Sequence, residues 1–276
     1  MSCCLFRYQV INSSAKNFSV NHIHSMEKFY KQKKGRKNKR FSSSYDCTFE
    51  IELDEDEEIQ EIIPKNGFQK TYLKYLYDPI KTIVFAIGSA GTGKTFLSCN
   101  AAITELQTDN YRKIVICRPT VNVDNESLGY LPGNVEDKVL PYLRPIVDIL
   151  LETFTYTQIQ HMIKEKIIEM CPLAYMRGRT FDYTFIIGDE MQNASVSQMK
   201  MLLTRVGRNS KLIVTGDLDQ IDRKSDTSGL QDIINRIRHQ EKMNEQLKTI
   251  KVIEFPTTSI ERSDVIKEIL DLYNAT

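Results

Sequence analysis

The run Gly88-Ser89-Ala90-Gly91-Thr92-Gly93-Lys94-Thr95 is the part of this chain most plainly arranged for chemistry. It matches G-x-x-x-x-G-K-[ST] in full. The glycines let the backbone curl so that successive N–H groups point inward. Those donors, with the N-terminus of a following helix, hold phosphates. Lys94 can reach the β- and γ-phosphates, and the Thr95 hydroxyl can ligate Mg²⁺. The expected ligand is a nucleoside triphosphate, with ATP the first candidate.

Further polar groups stand at the ends of apolar runs. Asp189 and Glu190 follow Tyr183–Ile187. An acid there can hold Mg²⁺, usually through water, and the next acid is placed to orient and deprotonate an attacking water. Adjacent acids after a strand are also common in solvated loops, and the phosphate loop in the same chain makes this pair a candidate. Gly216-Asp217-Leu218-Asp219-Gln220 ends another run. Gln220 could bond both the γ-phosphate and the attacking water, although Gly and Asp are equally the residues of a polar turn. Arg262 could stabilise charge developing on the γ-phosphate, and it reads as well as a surface arginine. Gln69 has an amide that can donate and accept at an adenine edge together, but taken alone it is an ordinary glutamine at a helix start.

These residues need a frame that brings strand ends together. Thr82–Ile87, Lys113–Cys117, Tyr183–Ile187, Lys211–Thr215 and Lys251–Phe255 are short, nearly continuous apolar runs, and a helical stretch spans Thr95 to Leu106. The alternation predicts an α/β fold: a parallel sheet with helices on both faces, and ligands at the carboxyl ends of the strands. The stretch from Val121 to Asp182 is long for a crossover. It is expected to hold a helical insertion over Leu140–Ile168.

The chain has 276 residues and a formal net charge of +1, the numbers of an ordinary soluble protein. That balance hides two opposed blocks. Lys28–Arg40 is dense in Lys and Arg, within a tail expected over residues 1–45. An acidic run from Glu50 to Glu61 lies within a linker or edge segment expected over 46–62, and the ATPase domain is expected over 63–276. The two blocks could pair, or the basic one could serve a polyanion. No apolar stretch approaches a membrane span and the N-terminus has no secretory pattern, so a cytoplasmic setting with reduced cysteines and no membrane partner is expected.

The chain resembles the PhoH-like family of P-loop ATPases from Ile63 to about Asn274. The likeness rests on several ordered segments. They include Arg118-Pro119, Leu128-Gly129-Tyr130-Leu131-Pro132-Gly133 and Met176-Arg177-Gly178-Arg179-Thr180. Asp189-Glu190-Met191-Gln192-Asn193, Leu203-Thr204-Arg205-Val206-Gly207 and Gly216-Asp217 with Gln220-Ile221-Asp222 complete the set. The family in turn resembles the ATPase half of superfamily 1 helicases, a RecA-like fold. The resemblance implies Gln69 at the adenine, Glu190 as catalytic base, Gln220 as γ-phosphate sensor and Arg262 near the γ-phosphate. It also implies ring-shaped homo-oligomers and a link to RNA. Three positions depart from the family pattern: Ser89 where Pro is usual, Gly188 where an apolar residue is usual, and a segment around Arg262 without D-V-x-R.

Three activities fit these residues. The first is Mg²⁺-dependent ATP hydrolysis coupled to RNA or single-stranded DNA, with Arg177, Arg179 and the basic tail on phosphates. The second is a nucleotide-dependent oligomeric switch with little turnover, in which Arg177, Arg179 or Arg262 enters a neighbouring subunit's site. The third, a small-molecule kinase, has the least support, because the acid pair and the Gly-Asp-x-x-Gln strand end suit ATPase chemistry better.

Overall fold

A computed structural model describes residues 40–42, 48–50, 62–119, 144–220, 228–243, 247–259, 261 and 265. Two compact units emerge. In the first, β1 (Arg40–Ser42) pairs antiparallel with β2 (Thr48–Glu50), so that Arg40, the end of the basic block, stands opposite Glu50, the start of the acidic one.

The second unit is built on six parallel strands: β3 (Ile83–Gly88), β4 (Lys113–Arg118), β5 (Ile168–Pro172), β6 (Thr184–Gly188), β7 (Lys211–Gly216) and β8 (Ile250–Phe255). Their order is β5-β4-β6-β7-β3-β8. The central strands β3, β4, β6 and β7 are buried almost throughout, as a sheet covered on both faces requires. Alternation along them divides the core. Phe85, Ile87, Val115, Cys117, Ile186, Leu212 and Val214 pack with Met199 and Leu202 of the Val196–Leu203 helix and with Leu230, Ile234 and Ile237 of the Gly229–Lys242 helix. The Lys94–Gln107 helix contacts β4, β6 and β7, and the Gly67–Leu76 helix packs on it. This is the doubly covered α/β arrangement of a P-loop NTPase.

Strand β5 was not among the expected strands. The insertion is helical over 144–151 and Tyr156–Lys164, and at Ile168 the chain turns into an edge strand paired with β4. Its sequence, IEMCP, buries only Ile168 and Cys171 fully. The strand is held partly by charge: Glu169 is bridged by Lys113 from β4 at 2.5 Å and by Arg179 through both carboxylate oxygens. The two cations hold the Glu169 carboxyl down to about 2.

Two helix starts are written in the sequence. Ser195 and Gln198 form a reciprocal capping box on the Val196–Leu203 helix, as Thr155 and Gln158 do on Tyr156–Lys164.

Candidate nucleotide site

Strand β3 leaves the sheet at Gly88, where φ is +142° and a Cβ would lie 2.3 Å from the carbonyl oxygen of Phe255 on β8. Backbone cannot give way there, so only glycine lets the loop pass. Gly91 and Gly93 follow with φ of 84° and 86°, the left-handed values that curl the loop back on itself. Gly93 is the N-cap of the Lys94–Gln107 helix and supplies no side-chain cap, so the helix's positive end faces the loop. Lys94 is drawn into that curl: its Nζ donates to the carbonyls of Gly88 at 2.6 Å and Ser89 at 2.8 Å, and to Thr92 Oγ1 at 3.2 Å. Ser89, where the family usually has Pro, serves the loop through its carbonyl, which also accepts from Thr92 Oγ1 at 3.0 Å.

Gln69 is buried against this loop. Its Nε2 donates to the Thr92 carbonyl at 3.1 Å and its Oε1 accepts from the Lys65 N–H at 2.8 Å. A Cβ at Gly93 would approach Gln69 Nε2 to 3.0 Å, so the loop's second left-handed glycine makes room for this amide. One amide hydrogen is thus committed to the loop and one lone pair to the Lys65 N–H, leaving one of each. Asn66, which caps the Gln69 helix, also reaches Glu261 Oε1 at 3.1 Å, and the Glu261 N–H donates to the Gly91 carbonyl at 3.0 Å. Arg262 itself lies outside the described residues, but the residue before it is fastened to the phosphate loop.

Asp189 is 1% exposed and surrounded by donors. Oδ1 accepts from the Thr95 hydroxyl at 2.7 Å and from the Thr215 hydroxyl, and Oδ2 accepts from Arg118 Nε at 2.8 Å and Nη2 at 2.5 Å. The sheet order produces this meeting. β7 lies between the loop strand β3 and the acid strand β6, and β4, carrying Arg118, flanks β6 on its other side. Thr95 and Asp189, the two expected metal ligands, are therefore adjacent.

Glu190 makes a different set of contacts. It adopts φ 54°, ψ 36°, a left-handed conformation that is costly for a side-chain-bearing residue, and it is exposed while its neighbour is buried. Gln192 holds it: Nε2 donates to Glu190 Oε2 at 2.7 Å, and Oε1 accepts from the Asp217 N–H at 3.1 Å. Gly216 gives Gln192 its space, since a Cβ there would lie 2.9 Å from Gln192 Oε1. Gln220 is exposed in the turn that follows β7, its N–H on the Asp217 carbonyl at 3.3 Å.

The structure thus brings Gln69, the Gly88–Thr95 loop and Asp189 into one bonded network, and links Glu190 to the β7 end. Gln220 occupies the same end of the sheet, and among the described residues no side-chain hydrogen bond joins it to the others. Arg179 is committed to Glu169, which leaves it poorly suited to a neighbouring subunit's site.

A sequence model of the family described as PhoH-like protein matches residues 61–274. The chain belongs to the PhoH-like family. It is 41% identical over 213 residues to the PhoH-like protein of Mycobacterium tuberculosis (strain H37Rv), covering 77% of this chain and 58% of that one. The PhoH-like protein of Bacillus subtilis (strain 168) is 38% identical over 231 residues, covering 83% and 69%. Protein PhoH of Escherichia coli (strain K12) is 36% identical over 216 residues, covering 77% and 58%. This chain spans about 58% of the length of the mycobacterial and E. coli relatives.

Membership explains the loop as a nucleotide-binding P-loop, and the donor set fits the ligands it implies. Thr95 and Asp189 offer hard oxygens, which suit Mg²⁺ held by a carboxylate and a hydroxyl together with phosphates. The departure at Gly188 has a packing cause: a Cβ would stand 2.9 Å from Leu202 Cδ2, so the glycine lets the Val196–Leu203 helix close onto the acid strand. Four participants were not singled out from sequence for chemistry: Arg118, Thr215, Gln192 and Glu261. Arg118 carried one usable signal, a charged residue directly ending an apolar strand. No helix among the described residues is long and apolar enough to cross a membrane.

Proposed function

We propose that this PhoH-like chain hydrolyses ATP with Mg²⁺ and couples turnover to RNA or single-stranded DNA. The observation that carries the reading is the contact of Thr95 with Asp189 beside an exposed, conformationally strained Glu190. Bound Mg²⁺ would neutralise charge on the phosphates. Lys94 would exchange its loop carbonyls for phosphate oxygens, Glu190 would accept the proton of the attacking water, and Gln220 would orient that water. Gln69 supports adenine recognition with its remaining donor and acceptor. Arg262 is proposed to face the γ-phosphate, because Glu261 is anchored on Gly91. Action as a homo-oligomeric ring in the cytoplasm belongs to the same proposal.

The test is phosphate release from Mg²⁺-ATP by wild type and Lys94→Ala, each with and without single-stranded RNA and DNA. The reading expects release that a strand stimulates and that Lys94→Ala abolishes. Wild type that binds ATP without releasing phosphate, alone or with either strand, would refute it.

A further inference from the structure

Along the Val196–Leu203 helix runs a groove of ≈ 490 Å³, lined by Arg177, Ser197, Lys200, Met201, Thr204 and Arg205. The helix contributes positions spaced by three and four, which places them on one face. The opposite face carries the buried Met199 and Leu202. No acidic residue lines the groove. Arg177 and Lys200 are exposed, and among the described residues no hydrogen bond or ion pair engages either side chain. Arg205 is fixed by neutral acceptors, donating to Arg179 O at 3.0 Å, Met201 O at 3.2 Å and Thr204 Oγ1 at 3.1 Å, so its charge is oriented without being neutralised. Cations just outside the groove differ: Arg179 is paired with Glu169 and Arg208 with Asp182. The groove thus differs from its flanks in carrying cations that no carboxylate pairs among the described residues.

We propose that this groove binds the sugar–phosphate backbone of single-stranded nucleic acid, without reading its sequence. Three cations, two hydroxyls and a methionine side chain match the phosphates and riboses of a strand. The groove is also joined to the acid motif. The helix follows the turn carrying Glu190 and Gln192, and Leu202 on its inner face is pressed against Gly188, the residue before Asp189. A strand on the outer face and the acids on the inner side therefore share one short helix. The inference rests on the nucleic-acid coupling proposed above and adds the place where it occurs.

Fluorescence anisotropy of labelled oligouridylate and oligothymidylate with the full chain tests it, across a salt series. Arg177→Ala/Lys200→Ala is expected to weaken binding about 10-fold and to lower the slope of log K against log salt by about 1.4, at ~0.7 per phosphate contact. Arg177→Lys/Lys200→Arg should restore both. ATP binding should match wild type in each variant, since neither residue touches the P-loop. If wild type binds a strand and the double alanine variant binds it as tightly with the same slope, the groove is not the site. If wild type binds neither strand, the coupling reading itself falls, and the groove with it.

Discussion

The Thr95 hydroxyl donates to Oδ1 of Asp189 at 2.7 Å, joining the phosphate loop to a strand end 94 residues further along the chain. One buried carboxylate thereby organises the site. Its two oxygens take donors from the loop helix, from β7 and from β4, so the metal-ligand candidate is positioned from three directions.

Arg118 is the charged member of that set. Removing a partner from a buried ion pair leaves an uncompensated charge, which costs more than the pair itself contributes. Arg118→Met is expected to lower unfolding free energy by about 3 kcal/mol, read from urea denaturation. An unchanged midpoint would show that the Asp189 charge does not depend on Arg118. Asp189→Asn in the Arg118→Met background should recover part of the loss, because the unpaired charge is gone.

Gln192 spans from Glu190 Oε2 to the Asp217 N–H, at 2.7 and 3.1 Å. Gln192→Leu is expected to reduce kcat by about 10- to 100-fold, within the usual contribution of a well-placed general base. ATP affinity should change little, since among the described residues no hydrogen bond joins Gln192 to the P-loop. Gly216→Ala should act in the same direction and also lower stability, because a Cβ there would meet Gln192 Oε1 at 2.9 Å and Leu230 Cδ2 at 2.5 Å. Steady-state kinetics with a separate ATP-binding measurement separates the two effects, and a rise in Kd with kcat preserved would count against this role.

Lys211 is 2% exposed, with its Nζ on the Asp78 carbonyl at 2.7 Å. Burial pushes its ammonium down from 10.5 to about 8, against the opposing pull of Glu105 and Asp78. The unfolded chain therefore holds the extra proton between about 8 and 10.5, and this residue's contribution to stability rises with pH across that window. Compared with Lys211→Met, wild type should gain about 2 kcal/mol over those pH values, allowing for partial screening. Urea titrations of both proteins at pH 7.5 and about 10 provide the check, and a constant difference would contradict it.

Much of this architecture could be read from residues whose partners are close in sequence or whose chemistry is local. KIVIC, KLIVT and the run before Gly88 are β-branched and apolar, and each became a central strand. IEMCP was hidden because an edge strand buries few side chains, and Glu169 sits in it only because Lys113 and Arg179 converge there from other segments. The P-loop glycines were legible from their spacing. The engagement of Gln69 with Thr92 was not, because a glutamine at a helix start has no local signature for a contact made 23 residues on. Arg118 showed only its place at a strand end, and the acid it pairs with stands 71 residues away.

The claim at the centre is that Glu190 serves as the base of an ATP-hydrolysing site. The direct measurement is Mg²⁺-dependent phosphate release by wild type and Glu190→Gln, beside ATP affinity for both. Affinity should match, with release from the variant lowered by at least about 100-fold. Equal release by the two proteins would contradict it.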